Sequence, residues 1–169
     1  MIDFGTGVTL RSPKLFDLNR MFDGRNDPRN WQWFRQHTCL NYDNHLEWYS
    51  KVIKDSSVEM LLAFDSSDTC LAVMGLTSID RVNSRAEISY YEVRNEVGLE
   101  PIRTLVRHAF VNQNLNQVWA EIFDGSPYRS KFESLDFELD GTLRDFYFRN
   151  GKYINAHRYS LIRSWEDEC

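Results

Sequence analysis

The stretch from Arg85 to Phe110 has the sequence pattern with the clearest chemical meaning. Arg85 to Tyr91 alternates apolar and polar side chains, which is typical of a half-buried β-strand. Gly98 and Pro101 follow, and apolar residues then recur at the 3.6-residue spacing of a helix. A helix that begins at a glycine presents free backbone N–H groups and the positive end of its dipole, which suit an anion and above all a phosphate. An ordinary strand–turn–helix connection explains the same pattern.

The alternation in this strand also assigns its side chains to two faces. Ala86 and Ile88 point one way and are the better core residues, so we expect that face to meet the following helix. Glu87 and Ser89 then point to the opposite face of the sheet. A carboxylate is therefore expected on the side that the helix leaves open.

Length and composition indicate a single folded domain over residues 1–169. The chain is long enough to bury a core, and 42% hydrophobic and 14% aromatic residues exclude disorder as its main state. A net charge of -5 argues against nucleic acid as a partner, because that binding depends on Lys and Arg at the phosphates.

The cysteines, the histidines and the N-terminal segment indicate a cytoplasmic protein without a metal site. Cys39, Cys70 and Cys169 form no C-x-x-C pair and are odd in number, which fits a reducing compartment. The histidines show no metal-ligand spacing. The N-terminal residues do not resemble a secretion signal, and no apolar run reaches membrane length, so no membrane partner is expected.

Periodicity and turn signals predict the other elements. The predicted strands are Val8 to Arg11, Val58 to Phe64, Cys70 to Ile79, Gln117 to Phe123, Leu143 to Arg149 and Tyr153 to Ile162. One predicted helix runs from Leu15 to Gly24 and another from Arg129 to Leu135. A third begins after an N-cap at Asp43 and has a buried stripe of Leu46, Tyr49, Val52 and Ile53. The strand at Gln117 follows a crossover helix, so it should run parallel to the strand at Arg85. Asn150-Gly151 predicts a tight hairpin between the last two strands.

This order resembles the GCN5-related N-acetyltransferase (GNAT) family, and particularly its RimJ/RimL-like branch. The resemblance covers nearly the whole chain. Its fragments are Arg25-Asn26-Asp27-Pro28 followed by Trp33-Phe34, then His45-Leu46-Glu47-Trp48-Tyr49, Gly75 to Asp80, Arg85-Ala86-Glu87-Ile88, Leu143-Arg144-Asp145, Arg149 to Tyr153, and Ser160-Leu161. The resemblance implies an α+β, three-layer GNAT fold, with a mixed, mostly antiparallel sheet of about seven strands and helices on both faces. It also implies acetyl transfer from acetyl-CoA to a primary amine of a small molecule, an amino sugar or a protein N-terminus, by a monomer or homodimer.

The resemblance places the cofactor at the loop of residues 93–98 and at the segment that follows the next strand. The residues expected to contact acetyl-CoA are Tyr91, Val93, Arg94, Asn95, Val97, Gly98, Ser126 and Arg129. Three positions depart from the family pattern: Glu96 replaces a glycine of the pyrophosphate loop, Gly125 replaces an asparagine, and Phe132 replaces the tyrosine that protonates the leaving thiolate.

For the acceptor side, the resemblance implies Glu87 as the general base. Trp31, Trp33 and Tyr91 are expected to flank this carboxylate, and backbone N–H groups from Tyr91 to Val93 are expected to stabilise the oxyanion. A structural ion pair of Glu87 with Arg85 or Arg158 is the alternative. The resemblance also implies acceptor contacts from Asn26, Asp27, Trp33, His45 and Trp48. Turn formation explains Asn26 and Asp27 equally well, and a packed helix explains His45 and Trp48.

Two functional hypotheses follow from these residues. The first is an acetyl-CoA-dependent N-acetyltransferase, which the nearly complete acceptor half favours. The second is a catalytically impaired pseudoenzyme that keeps the fold as a binding module, which Glu96, Gly125 and Phe132 favour.

Overall fold

One mixed sheet of eight strands organises the chain in the computed structural model, which describes residues 1–164. The strands are β1 (Ile2–Asp3), β2 (Val8–Arg11), β3 (Glu59–Asp65), β4 (Cys70–Asp80), β5 (Arg85–Glu92), β6 (Gln117–Phe123), β7 (Glu138–Arg149) and β8 (Lys152–Ile162). Their spatial order is β1-β2-β3-β4-β5-β6-β8-β7. The extra strand relative to the prediction is β1, whose two residues are too few to show an alternation.

The pairing of β5 with β6 is parallel, as predicted, and the other neighbouring strands pair antiparallel. This parallel pairing is short. It runs from Arg85 opposite Gln117 to Glu87 opposite Trp119, although both strands continue beyond these residues. A gap therefore opens in the middle of the sheet directly after Glu87.

Five α-helices lie among the described residues: α1 (Leu18–Asn26), α2 (Pro28–Trp31), α3 (Tyr42–Val52), α4 (Glu100–Val111) and α5 (Arg129–Glu133). A 3₁₀ turn at Leu15–Asp17 precedes α1, so the first predicted helix is split and extends beyond Gly24. Pro101 lies in the first turn of α4, as predicted. Within residues 1–164, no helix combines the length and apolar character that a bilayer span requires.

The predicted start and buried stripe of α3 were partly wrong. The N-cap is Asn41, whose side chain accepts a hydrogen bond from the backbone N–H of Asp43, and not Asp43 itself. His45 and Tyr49 are the buried residues of this helix, whereas Leu46 and Ile53 are exposed. The helix therefore turns its histidine inward, which a pattern based on aliphatic residues does not predict.

Hydrophobic clusters cover both faces of the sheet. On one face, Ala86 and Ile88 of β5 pack with α4 through Ile102 and Leu105. On the other face, Tyr91 packs in a second cluster with residues of α1 and α3. The side chains of β5 thus alternate between the two layers as expected, and Glu87 faces the N-terminal helices.

The closing hairpin forms at the predicted turn. Asn150 and Gly151 have φ values of 49° and 81°, the positive values that a two-residue hairpin turn of this type requires. The first strand of this hairpin begins at Glu138 rather than Leu143, with irregular register before Tyr147. Cys39 and Cys70 are free thiols, and Cys169 lies outside the described residues.

Candidate active site

A cleft of about 310 Å³ lies at the gap between β5 and β6. Glu87 and Ser89 line it from β5, Ala120 lines it from β6, and Trp33 and Tyr128 also line it. We call it the central cleft. Because its floor is the open part of the sheet, the backbone of both strands and the side chains on the face that meets the N-terminal helices border one space.

Glu87 is held in this cleft by a guanidinium. Both carboxylate oxygens accept hydrogen bonds from Arg35, and the Nε of Arg35 donates to Glu121 at 3.0 Å. Burial works to lower the pKa of Arg35, but the hydrogen bonds to Glu87 and Glu121 outweigh it and raise the pKa above its ordinary value. The guanidinium therefore stays charged, and the group of two carboxylates and one cation has a net charge of -1, which suits a protonated amine nearby.

The alternative partners suggested by the sequence lie elsewhere. Arg85 pairs with Asp80 at 3.3 Å, and the guanidinium of Arg158 lies 3.8 Å from the ring centre of Trp119. Glu87 is thus an ion-paired carboxylate, but its partner is Arg35, which is 52 residues away in sequence.

The N–H groups from Tyr91 to Val93, the expected oxyanion donors, do not all face the cleft. The N–H of Val93 donates to the carbonyl of Leu71 on β4 at 2.9 Å, so it is not available to a ligand. Successive N–H groups of a strand point to opposite edges. The N–H groups of Ile88 and Tyr90 therefore point into the gap between β5 and β6.

A second cavity of about 530 Å³ lies beside the central cleft, against α3. Arg25, Thr38, His45 and Trp48 line it, and we call it the lateral cavity. Arg25, Phe34, Gln36, Thr77 and Ser89 border both cavities. The ring of His45 stacks on Trp48 with a centroid distance of 5.2 Å, and burial lowers the pKa of His45, so this imidazole is neutral at pH 7.

A third cavity, of about 430 Å³, extends from Tyr128 along the loop of residues 93–98. We call it the outer groove. Asn95, Glu96, Gly125 and Lys131 line it. Since Tyr128 and Trp33 border both the outer groove and the central cleft, the two cavities meet at these residues.

A comparison with protein families identifies the chain. Residues 10–157 match the model of the acetyltransferase (GNAT) domain. The chain belongs to the GNAT family. It is an acetyltransferase, and acetyl-CoA is its co-substrate. The comparisons give the pseudoenzyme hypothesis no support.

Known members of the family are similar to this GNAT chain over much of its length. The putative ribosomal N-acetyltransferase YdaF of Bacillus subtilis is 30% identical over 128 residues, which are 72% of this chain and 69% of the relative. The spermidine N(1)-acetyltransferase of Vibrio cholerae is 25% identical over 164 residues, covering 93% of this chain and 94% of the relative. The crystal structure of spermidine N-acetyltransferase from Vibrio cholerae in complex with CoA and spermine has a TM-score of 0.84 at 21% identity, with 94% of this chain and 96% of that chain covered. This structural similarity shows the GNAT fold.

The residues that the GNAT pattern assigns to the pyrophosphate loop are mostly exposed. Arg94, Asn95 and Glu96 are open to solvent, while Val97 is buried and its carbonyl accepts a hydrogen bond from Lys131. Glu96 has a φ of 56°, a left-handed conformation that favours glycine. The loop therefore has the backbone conformation of a glycine at the position where the family has one. A Cβ atom at Gly98 would meet no atom of residues 1–164 within 4 Å, so the described chain leaves the space beside this residue open.

Three further residues expected at the cofactor have side chains engaged within the protein. The hydroxyl of Tyr91 donates to the carbonyl of Met21 at 3.0 Å, and its ring lies in the second hydrophobic cluster. Arg129 pairs with Glu133 at 2.8 Å on the exposed side of α5. Ser126 lines the central cleft, where its hydroxyl accepts a hydrogen bond from the N–H of Tyr128.

The expected acceptor residues separate into two groups. Trp33 lines the central cleft, and His45 and Trp48 line the lateral cavity. Asn26 instead exchanges two hydrogen bonds with the backbone of Leu40. Asp27 caps α2 and pairs with Arg29, which lowers the pKa of Asp27. The contacts of Asp27 are those of a turn-forming residue, whereas Asn26 connects two segments of the chain that are 14 residues apart.

Sequence reasoning missed the residue that connects the cavities, Asn30. Its side chain is 1% exposed, donates to the carbonyls of Gly24 and Glu92, and accepts a 2.5 Å hydrogen bond from the hydroxyl of Tyr128. Burial, followed by the charge of Glu92, raises the pKa of Tyr128 to about 12. The sequence carries one signal for Tyr128, because it precedes Phe132 by one helical turn and can present a phenol on the same side of α5.

Proposed function

We propose that this GNAT enzyme, over one domain spanning residues 1–169, acetylates a primary amine in the central cleft, with Glu87 as the base. Acetyl-CoA would lie in the outer groove with its thioester at the junction near Tyr128. The observation that carries the proposal is the opening of the sheet directly after Glu87. It brings a buried carboxylate and the N–H groups of Ile88 and Tyr90 to the border of a single cleft.

Each step of a direct transfer has a candidate group in this arrangement. The amine enters as an ammonium ion, which the net negative group of Glu87, Arg35 and Glu121 attracts. Glu87 accepts its proton, directly or through a water molecule, and the free amine attacks the thioester. The N–H groups in the gap then stabilise the oxyanion of the tetrahedral intermediate.

Tyr128 is the proposed proton donor for the departing thiolate. Its raised pKa of about 12 keeps the phenol protonated at neutral pH, and it lies where the central cleft and the outer groove meet. Tyr128 would thus protonate the thiolate, which Phe132 cannot do because it has no hydroxyl. The chain-wide resemblance supports the RimJ/RimL-like branch, whose acceptors include amino sugars and protein N-termini as well as small amines.

The decisive experiment compares Glu87→Gln with Glu121→Gln. CoA release would be followed with acetyl-CoA and a panel of primary amines, at a pH where the amine is mostly protonated. Glu87→Gln should lower turnover about a hundredfold, because the proton acceptor is lost, while acetyl-CoA affinity stays nearly unchanged. Glu121→Gln removes the other carboxylate bound to Arg35. It should raise the KM of the amine, because the group no longer has a net negative charge, while turnover at saturating amine changes less than about threefold, as expected for a group outside proton transfer.

Two results would contradict the proposal. Full turnover by Glu87→Gln would leave solvent as the proton acceptor. A missing thermal shift with millimolar acetyl-CoA would exclude the donor site, because a ligand at a hundred times its dissociation constant adds about 2.7 kcal/mol of stability.

A further inference from the structure

Arg25 lies between the central cleft and the lateral cavity and borders both. Its guanidinium is 3.8 Å from the ring centre of Phe34, and its Nη2 donates to the carbonyl of Gln36 at 3.0 Å. Its Nη1 is buried, and no acceptor within residues 1–164 forms a hydrogen bond with it. A buried donor without a partner is unfavourable, so this nitrogen marks a place where a ligand oxygen would be stabilised.

The charge of Arg25 is also uncompensated. Desolvation lowers the pKa of Arg25 from its ordinary value, and the groups that act against this are Tyr91 and Cys39 rather than a carboxylate. Arg35 makes a useful contrast, since it forms ion pairs with Glu87 and Glu121. Two arginines thus border the same cleft, one fully paired and one that faces the cavity without an acidic partner in the described chain.

The lateral cavity has one charged side chain among its described lining residues, and this is Arg25. The other polar groups there are hydroxyls and amides, such as Thr38 and Asn44, together with the neutral His45. A polyamine in this cavity would meet a cation and no carboxylate. An anionic group would meet a guanidinium with a free N–H, which is the favoured partner of carboxylate and phosphate.

We propose that the lateral cavity is an anion subsite in which Arg25 binds a carboxylate or phosphate on the acceptor molecule. The inference rests on the proposed function, because the amine of the same molecule would lie beside Glu87 in the adjoining central cleft. The substrate class is therefore an amine that also carries an anion. The polar side chains around His45 and Trp48 would contact the part of the molecule near the anion.

Matched acceptors test this preference. One arm compares ω-amino carboxylates of several chain lengths with their amides, and the other compares ω-amino alkyl phosphates with the corresponding amino alcohols. Spermidine serves as the polycationic acceptor. With acetyl-CoA saturating, kcat/KM for at least one anionic series should exceed that of its neutral match about tenfold or more, since a charge-assisted hydrogen bond is gained. The series in which the charged acceptor is preferred shows whether the subsite binds a carboxylate or a phosphate.

Substitutions at Cys39 test the role of Arg25 without altering the arginine itself. Cys39 is exposed, lines the lateral cavity and acts electrostatically on Arg25. Cys39→Asp should abolish the preference for anionic acceptors by supplying a competing carboxylate, whereas Cys39→Asn has nearly the same shape and should retain the preference. Arg25→Met should also abolish it and Arg25→Lys should retain part of it, with the acetyl-CoA thermal shift showing that each variant is folded.

The possible results separate the subsite from the reaction itself. Equal rates for charged and neutral members of both arms, or a better rate for spermidine, would overturn the anion subsite while leaving acetyl transfer intact. An anion preference that survives in both Cys39→Asp and Arg25→Met would also overturn it. If acetyl-CoA binds but no acceptor is acetylated, binding of the same matched compounds is compared by thermal shift. Equal shifts for the charged and neutral compounds, or no shift with either, would overturn the subsite. Failure to bind acetyl-CoA would contradict the proposed function.

Discussion

The lateral cavity and the loop of residues 93–98 are built in different ways. Around the cavity, side chains are fixed by long-range hydrogen bonds, such as those of Asn26 to Leu40 and of Tyr91 to Met21. In the loop, Arg94, Asn95 and Glu96 are exposed. In the proposed function, the acceptor side therefore depends on the identity of its side chains, whereas the donor side depends mainly on the path of its backbone.

This difference explains why the departures from the family pattern are compatible with an enzyme. Glu96 replaces a glycine but keeps a glycine-like φ of 56°. Gly125 has a φ of 79°, and a Cβ there would lie 3.7 Å from the ring of Trp33. A site that uses backbone N–H groups tolerates a changed side chain if the backbone conformation is preserved.

The largest effect is expected at Asn30, where the two sides meet. Asn30→Ala removes hydrogen bonds to Gly24, Glu92 and Tyr128, at about 1 kcal/mol each or more for buried groups. We expect a loss of about 3 kcal/mol in the free energy of unfolding, or roughly 6–12 °C in Tm. Urea and thermal unfolding would measure it. Gln32→Ala, at an exposed neighbour, should stay within about 0.5 kcal/mol, and a similar loss there would mean that the segment rather than Asn30 is responsible.

A smaller effect on stability, together with an effect on rate, is expected for Tyr128→Phe, which removes the hydrogen bond to Asn30 alone. The ring contact with Tyr90 at 5.5 Å is kept, but the proton for the thiolate is lost. Turnover should fall about tenfold to a hundredfold, the low end for a general acid because a thiolate leaves readily, with the Kd of acetyl-CoA unchanged. Tyr147→Phe removes a phenol that donates to Glu121 and should slow the reaction less than about threefold. Equal losses in both variants would remove Tyr128 from proton transfer.

The smallest effect is expected at Glu96. Because this side chain is exposed and its charge is screened, Glu96→Gln should tighten acetyl-CoA binding by no more than about threefold, and the gain should shrink as salt rises. Glu96→Gly should in addition stabilise the fold by about 1 kcal/mol, because the left-handed φ of 56° costs glycine little. Calorimetry and thermal unfolding separate the two contributions. A large change in affinity for Glu96→Gln would show that the side chain reaches the pyrophosphate.

The sequence predicted the central elements well because their signals are local. The strand at β5, the helix at α4 and the strand at β6 were expected from periodicity and a proline, and the last hairpin from Asn150-Gly151. The predicted and observed bounds of these elements agree to within one or two residues at most positions. The two faces of β5 followed from the alternation of its side chains.

The partners within the site were not predictable in this way. Arg35 lies in an irregular segment, and its contact with Glu87 depends on how the N-terminal helices pack against the sheet. Arg25 is part of a fragment that resembles the family, and a guanidinium that borders a cavity without an acidic partner has no local sequence signal. Asn30 has no local sequence signal either, because its importance comes from three hydrogen bonds that join separate segments.

The short pairing between β5 and β6 has a consequence for how the protein responds to its ligands. In the described chain, the strands β1–β5 and β6–β8 are joined within the sheet by the register pairs from Arg85–Gln117 to Glu87–Trp119. A molecule that forms hydrogen bonds with both strands in the gap would complete this interrupted ladder. Occupancy of the gap and the cooperativity of unfolding would then be linked, so that ligand concentration would set how firmly the two halves of the sheet hold together.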